Sequence, residues 1–175
     1  MRRAPERFDG WIGGVGTASG LRLVVGHWPS SPLGSFTDVM LERADGHRVL
    51  LAPSQEVADF VSTTYTFDEV RLVPVEMHVD DTTAELRAAD LTATIHLGPR
   101  TPLGYLLRAV PPRLATSPRW IAAIDAVARR VLPGVRTVGS AGHGRTEYYG
   151  ARDLHRIADA TVHLGGEPQG WFAGA

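Results

Sequence analysis

The chain contains no cysteine and no lysine. Without cysteine there is no disulfide, no thiolate nucleophile and no cysteine-ligated zinc or iron–sulfur cluster. Without lysine there is no Schiff-base chemistry and no P-loop lysine. All 18 basic residues are arginines, as the codon bias of a GC-rich genome produces. An excess of either charge is missing too: 18 basic against 19 acidic residues leave a formal net charge of −1. That balance gives no electrostatic reason to expect a nucleic acid or an anionic membrane as partner. The longest apolar runs, residues 70–79 and 122–132, are interrupted by charge and too short to span a bilayer. The basic residues near Met1 are not followed by an apolar stretch, so no secretory signal is read and a cytoplasmic location is expected.

What is present is ordinary globular composition, 43% hydrophobic and 21% charged over 175 residues. This length fits one domain with a proper core, given domains of roughly 100–200 residues. Residues 1–10 and 166–175 are expected to be loosely ordered ends.

Residues 20–28 are rich in branched aliphatics and stop at Pro29, as a strand does. Residues 35–42 and 48–52 flank Asp45-Gly46, a pair that suits a hairpin with a type I′ turn. Ser54 is placed to cap a helix over 54–65, with Val57, Phe60, Val61 and Tyr65 on one face. Residues 67–79 return to extended structure, with Pro74 marking an edge or a bulge. Residues 82–88 and 91–97 read as an antiparallel pair turning at Ala89-Asp90. In the second of these, Leu91, Ala93, Ile95 and Leu97 alternate with polar residues, which predicts one buried and one solvated face. The apolar run 103–110, set among prolines, either lines a cavity or covers the sheet. Ser117-Pro118 opens the main predicted helix, about 118–132, closed by Pro133-Gly134. A hairpin is expected over 135–149, a short helix over 153–160 and a strand over 161–164. The fold class is therefore α+β, a predominantly antiparallel sheet, curled or barrel-like, with one main helix.

Few residues carry a chemical pattern. The seven histidines are scattered, with no metal-binding spacing among them. The stretch Gly139-Ser-Ala-Gly-His-Gly144-Arg145 is the densest candidate: its glycines can turn backbone N–H groups toward an anion, and Arg145 supplies two parallel donors. It equally reads as a hairpin loop that needs positive φ. It lacks the helix and the lysine of nucleotide-binding loops, and Ser140 lacks the elbow of a serine hydrolase. Glu147 and Tyr149 share one strand face. Together with Arg136, His143, Arg145 and Asp38 they form the candidate binding set, the rim of an apolar pocket for a small apolar or amphipathic ligand. Glu76 and His78 share another face, either as an acid–base pair or as part of a solvated surface.

The run from His27-Trp-Pro through Ser-Pro-Leu-Gly-Ser-Phe-Thr-Asp-Val-Met40 to Phe67-Asp-Glu-Val70 resembles the layout of the acetoacetate decarboxylase superfamily. It has an aromatic-and-acid strand, a hairpin, a short helix and an aromatic-led strand in that order. The resemblance implies a curled antiparallel architecture around an apolar pocket. The family's catalytic lysine has no counterpart here, so its Schiff-base decarboxylation does not carry over. The chain also looks like actinobacterial proteins of similar length, which implies no function. Three readings follow: a small-molecule-binding β domain, with no cofactor implied; an enzyme using carboxylate or histidine acid–base chemistry; or an interaction module that self-associates as a homodimer through a strand edge.

Overall fold

The computed structural model describes residues 7–115, 117, 138–140, 146–148 and 150–174. The helix expected over 118–132, with Arg136, His143, Arg145 and Tyr149, lies outside the described residues. The chain divides into two compact units, residues 1–97 with 157–175 and residues 98–156.

The first unit is built on strands β1 (Asp9–Thr17), β2 (Arg22–Ser30), β3 (Phe36–Glu42) and β4 (Arg48–Ala52), then helix α1 (Gln55–Ser62). Strands β5 (Glu69–Leu72), β6 (Val75–Val79), β7 (Thr83–Ala88) and β8 (Leu91–Arg100) follow. Next in sequence come α2 (Pro102–Ala109), α3 (Pro112–Ala115), β9 (Val138–Ser140) and β10 (Thr146–Tyr148). The chain ends in β11 (His155–Leu164), β12 (Glu167–Pro168) and β13 (Phe172–Gly174). A six-stranded sheet has the order β13-β1-β2-β3-β4-β5, and a five-stranded sheet the order β12-β11-β8-β7-β6. The larger is mixed, because β5 runs parallel to β4 after the α1 crossover, and the smaller is antiparallel.

Period-two alternation explains why these segments are strands and how the layers stack. Odd-numbered residues of β1 to β4, among them Val15, Leu23, Val25, Val39, Leu41, Val49 and Leu51, enter one core with Ala84, Leu86, Leu91, Ile95 and Val162 of the smaller sheet. Leu23, Leu51, Leu86 and Ile95 are all but sealed from solvent, each stabilising the fold by about 2 kcal/mol. Even-numbered Phe36, Leu50 and Ala52 enter a second core under Val57, Ala58 and Val61 of α1. The larger sheet is thus apolar on both faces, one toward the smaller sheet and one toward the helix.

Neither sheet closes into a barrel. The alternating pattern that predicted a curled sheet serves equally well for two open sheets packed face to face, and the observed register takes the second solution. The 45–46 turn also differs from expectation: Gly46 has φ 85° but Asp45 does not share its positive φ. Gly46 N–H donates to Arg43 O, and Arg43 N–H to His47 O, which makes a longer loop with one left-handed glycine. Ser54 caps α1 through Val57 N–H as expected, but the helix stops at Ser62 and leaves Tyr65 44% exposed. Pro74 sits where the chain leaves one sheet for the other, and both β5 and β6 are edge strands.

The helix expected over 153–160 is instead the start of β11, because Ala160 and Val162 are drawn by their alternation into the sandwich core. In the second unit, residues 102–109 form α2, capped by Thr101 accepting from Gly104 N–H and opened by Pro102. The Thr-Pro pair is the signal for that helix. The β9–β10 pairing supplies the expected hairpin backbone.

Ala89, in the two-residue connection of β7 and β8, has φ 52°, a left-handed conformation that its Cβ disfavours. Ala89→Gly is expected to stabilise the protein by about 1 kcal/mol, read as a raised urea midpoint at unchanged slope.

Candidate functional site

Asp38 lies mid-strand in β3, between Thr37 and Val39, and is only 3% exposed. The strand is central in the larger sheet, so a side chain there has no edge to escape to. Asp38 points to the helix side, the face of Phe36 and Met40. Its neighbour across the ladder is Gly26, and the neighbour of Gly26 is Ile12 on β1. Trp28, two residues along β2, donates its indole Nε1–H to Asp38 Oδ1 at 3.1 Å. Gly26 makes this bond possible: a Cβ there would stand 2.7 Å from both Asp38 Oδ1 and Trp28 Nε1.

Trp28 belongs to an aromatic cluster on this face of the sheet. Phe8 stacks on Phe60 of α1 at 4.7 Å between centroids and meets Trp28 edge-on at 5.9 Å, while Trp28 and Phe36 lie 6.4 Å apart. Burial among these rings pushes the Asp38 carboxyl up to about 6, against the partial help of Trp28 and a backbone N–H. Among the described residues no basic group offsets the burial.

His27 sits on the opposite face of the same sheet, its Nδ1 2.8 Å from Thr37 Oγ1 and its ring tilted against Trp11. Burial alone lowers its pKa. The two titratable groups are separated by the sheet itself.

Of the six residues in the candidate binding set, Asp38 is the one whose side chain has described surroundings. Glu147 belongs to the second unit, in β10 opposite Gly139. Glu76 and His78 are both exposed on the outer face of the smaller sheet, where with Met77, Glu85 and Arg87 they line an open hollow of about 200 Å³. That face is solvated. A second open hollow, about 300 Å³, is lined by Ser19, Leu21, Arg43, Ala44, Leu164 and Gln169. Neither includes Asp38. Trp28 and Gly26 carry no motif of their own, and the clue to them is the single acid inside the apolar run of residues 36–41.

The second unit holds the strongest charge cluster. Arg100 clamps Asp153 with two parallel bonds of 2.7 and 2.9 Å and lies 5.3 Å over the Tyr105 ring. Arg108 and His155 stand 3.7 and 3.6 Å from the same carboxylate. The Arg100 bonds hold Asp153 down at about 2. The clamp fixes the entry to α2, whose Thr101 N–H donates to Leu154 O. Its partners satisfy one another, and it reads as a structural tie.

Among the described residues, no group of three histidine or carboxylate side chains is placed to hold a metal ion, and no helix is long and apolar enough to cross a membrane. Comparisons with protein-family models, curated proteins and solved structures find no match to the chain.

Two outcomes follow from this geometry. The Asp38 pKa is raised from 3.8 to about 6, so between those values the native state holds a proton the unfolded chain has released. Stability contributed at this site is therefore lost as pH rises through the window, by about 3 kcal/mol in all. Urea unfolding of wild type and Asp38→Asn at about pH 4 and about pH 7.5 is expected to show the variant gaining on wild type by roughly that amount at the higher pH. Gly26→Ala is expected to break the Trp28–Asp38 bond and cost about 1–3 kcal/mol, with a change in the tryptophan emission of the folded protein.

Proposed function

We propose that this chain is a small-molecule-binding β domain whose ligand is amphipathic and whose polar anchor is Asp38. One observation carries the reading: a carboxyl buried to 3% exposure in mid-sheet, held by a neutral indole and, among the described residues, without a basic partner. A lone acid of this kind costs stability when ionised, and an incoming amine or amide donor offsets that cost. Phe8, Trp28, Phe36 and Phe60 offer the apolar body of such a ligand a wall of rings. Approach from the β1 side passes over Gly26 and the exposed Ile12.

A catalytic reading would draw on the same carboxyl, since a group near 6 suits proton transfer. No second acid or base stands beside it among the described residues, and His27 lies across the sheet. Binding is therefore the function we favour. The arginine–tyrosine rim expected from Arg136, Arg145 and Tyr149 is not needed for this reading.

The test uses n-octylamine and n-octanoate as probes of opposite charge on one apolar tail. At about pH 8 the amine is expected to bind wild type saturably, by tryptophan fluorescence and thermal shift, and octanoate to bind more weakly. At about pH 5, where only about a tenth of Asp38 is ionised, the amine should lose about tenfold in affinity. Asp38→Asn should lose the pH dependence along with the amine preference. Absence of saturable binding by either probe, or equal binding by wild type and Asp38→Asn, would overturn the proposal and leave Asp38 as a structural acid.

A further inference from the structure

Strand β5 ends the larger sheet, and among the described residues it is paired on one side only, with β4. Its side chains alternate: Glu69 and Arg71 are half-buried, while Val70 and Leu72 stand 45% and 51% exposed on the helix side. Exposed aliphatics on an open strand are an adhesive edge. Natural edges are often guarded by lysine, and this chain has none.

The backbone register shows which groups are free to pair. Val73 N–H, just past the strand, donates to Ala52 O at 3.0 Å, which turns the alternate groups of the strand, those of Glu69 and Arg71, toward β4. The N–H and C=O groups of Val70 and Leu72 therefore face outward. In an antiparallel pairing, two outward residues directly opposite each other exchange both of their hydrogen bonds.

We propose that β5 is the self-pairing edge of a two-fold homodimer, with Val70 on the axis and Glu69 of each copy opposite Arg71 of the other. This inference is independent of the reading of Asp38. In that register the outward groups of the two Val70 residues form a hydrogen-bonded pair on the axis, exchanging two bonds. Each Glu69 meets Arg71 of the other copy at the closer, non-hydrogen-bonded position. The charges are self-complementary, as an isologous interface requires. Glu69 and Arg71 already pair within the strand at 2.7 Å, and Arg71 reaches Asp90 at 3.7 Å. Across the axis the same four charges form a ring of alternating sign. The register shifted by one residue places Val70 opposite Arg71 and loses both the backbone match and the charge match.

A charge exchange tests this on the full chain. Sedimentation velocity over a concentration series should show wild type dimerising. Arg71→Glu puts acid opposite acid and Glu69→Arg puts base opposite base, so each variant alone is expected to be monomeric. Mixed together they should form a heterodimer, and the double exchange Glu69→Arg with Arg71→Glu should dimerise like wild type. Circular dichroism of each variant establishes that loss of the dimer is not loss of the fold. The proposal is overturned if wild type stays monomeric at its highest soluble concentration, or if either single variant still dimerises. It is equally overturned if the mixture of folded monomers fails to associate, or if the dimer is broken by Glu76→Arg on the β6 edge while the β5 variants leave it intact.

Discussion

Strand β3 has to satisfy two interiors at once. It is central in the larger sheet, with Val39 and Leu41 turned into the sandwich and Phe36 and Met40 turned under the helix layer. A strand buried on both faces over most of its length leaves little room for a group that needs water, so its one buried carboxyl governs its surroundings. Asp38 needs a donor, and Trp28 supplies it from the adjacent strand. The indole reaches only because residue 26 has no side chain. The neighbouring rings pack on Trp28 and Phe36, and α1 closes the face through Phe60. The identities at 26 and 28 are thus tied to the acid at 38.

The chain ties its two sheets together at both ends of the first unit. After β5, parallel to β4, Pro74 ends one strand and the next begins in the other sheet. Near the C-terminus the direction reverses: β12 pairs with β11 in the smaller sheet, and β13 returns to β1 in the larger. The second crossing is held by Gln169, which donates from its N–H to Val162 O and accepts from Ser19 N–H. Both crossings leave edge strands exposed. A closed barrel would have removed those edges, whereas a face-to-face sandwich keeps them.

Much of this was legible in the sequence wherever a local cause decides the outcome. The Asp45-Gly46 hairpin, the Ser54 cap, the Ala89-Asp90 connection and the alternation in β8 all follow from one or two residues and their neighbours. Legibility failed where tertiary context overrides local preference. Residues 153–160 offer a fair helical pattern, yet Arg100 takes the Asp153 carboxylate and the sandwich core takes Ala160 and Val162. The difference between curled and stacked sheets is not encoded in alternation, because both architectures ask for the same period. At the candidate site the acid was visible as an anomaly in an apolar strand. Its partners were hidden, because the contact between Trp28 and Asp38 depends on register, and register depends on the whole sheet.

The missing lysine connects the two proposals. Arginine carries a planar fork that binds carboxylates in pairs of parallel bonds, and it does so at Arg100 with Asp153 and at Arg71 with Glu69. It is never neutral, so it is a poor companion for an acid buried among phenyl rings, where two desolvated charges would both have to be accommodated. A chain limited to arginine therefore keeps its cations at the rim, where Arg22, Arg48 and Arg71 pair with Glu42 and Glu69. The interior acid is left to a neutral indole. The same distribution places alternating fixed charges along β5, beside two exposed aliphatics and backbone groups that have no partner among the described residues. A buried carboxyl with no basic partner among the described residues and an edge strand of alternating fixed charge are the two positions on which the two proposals rest.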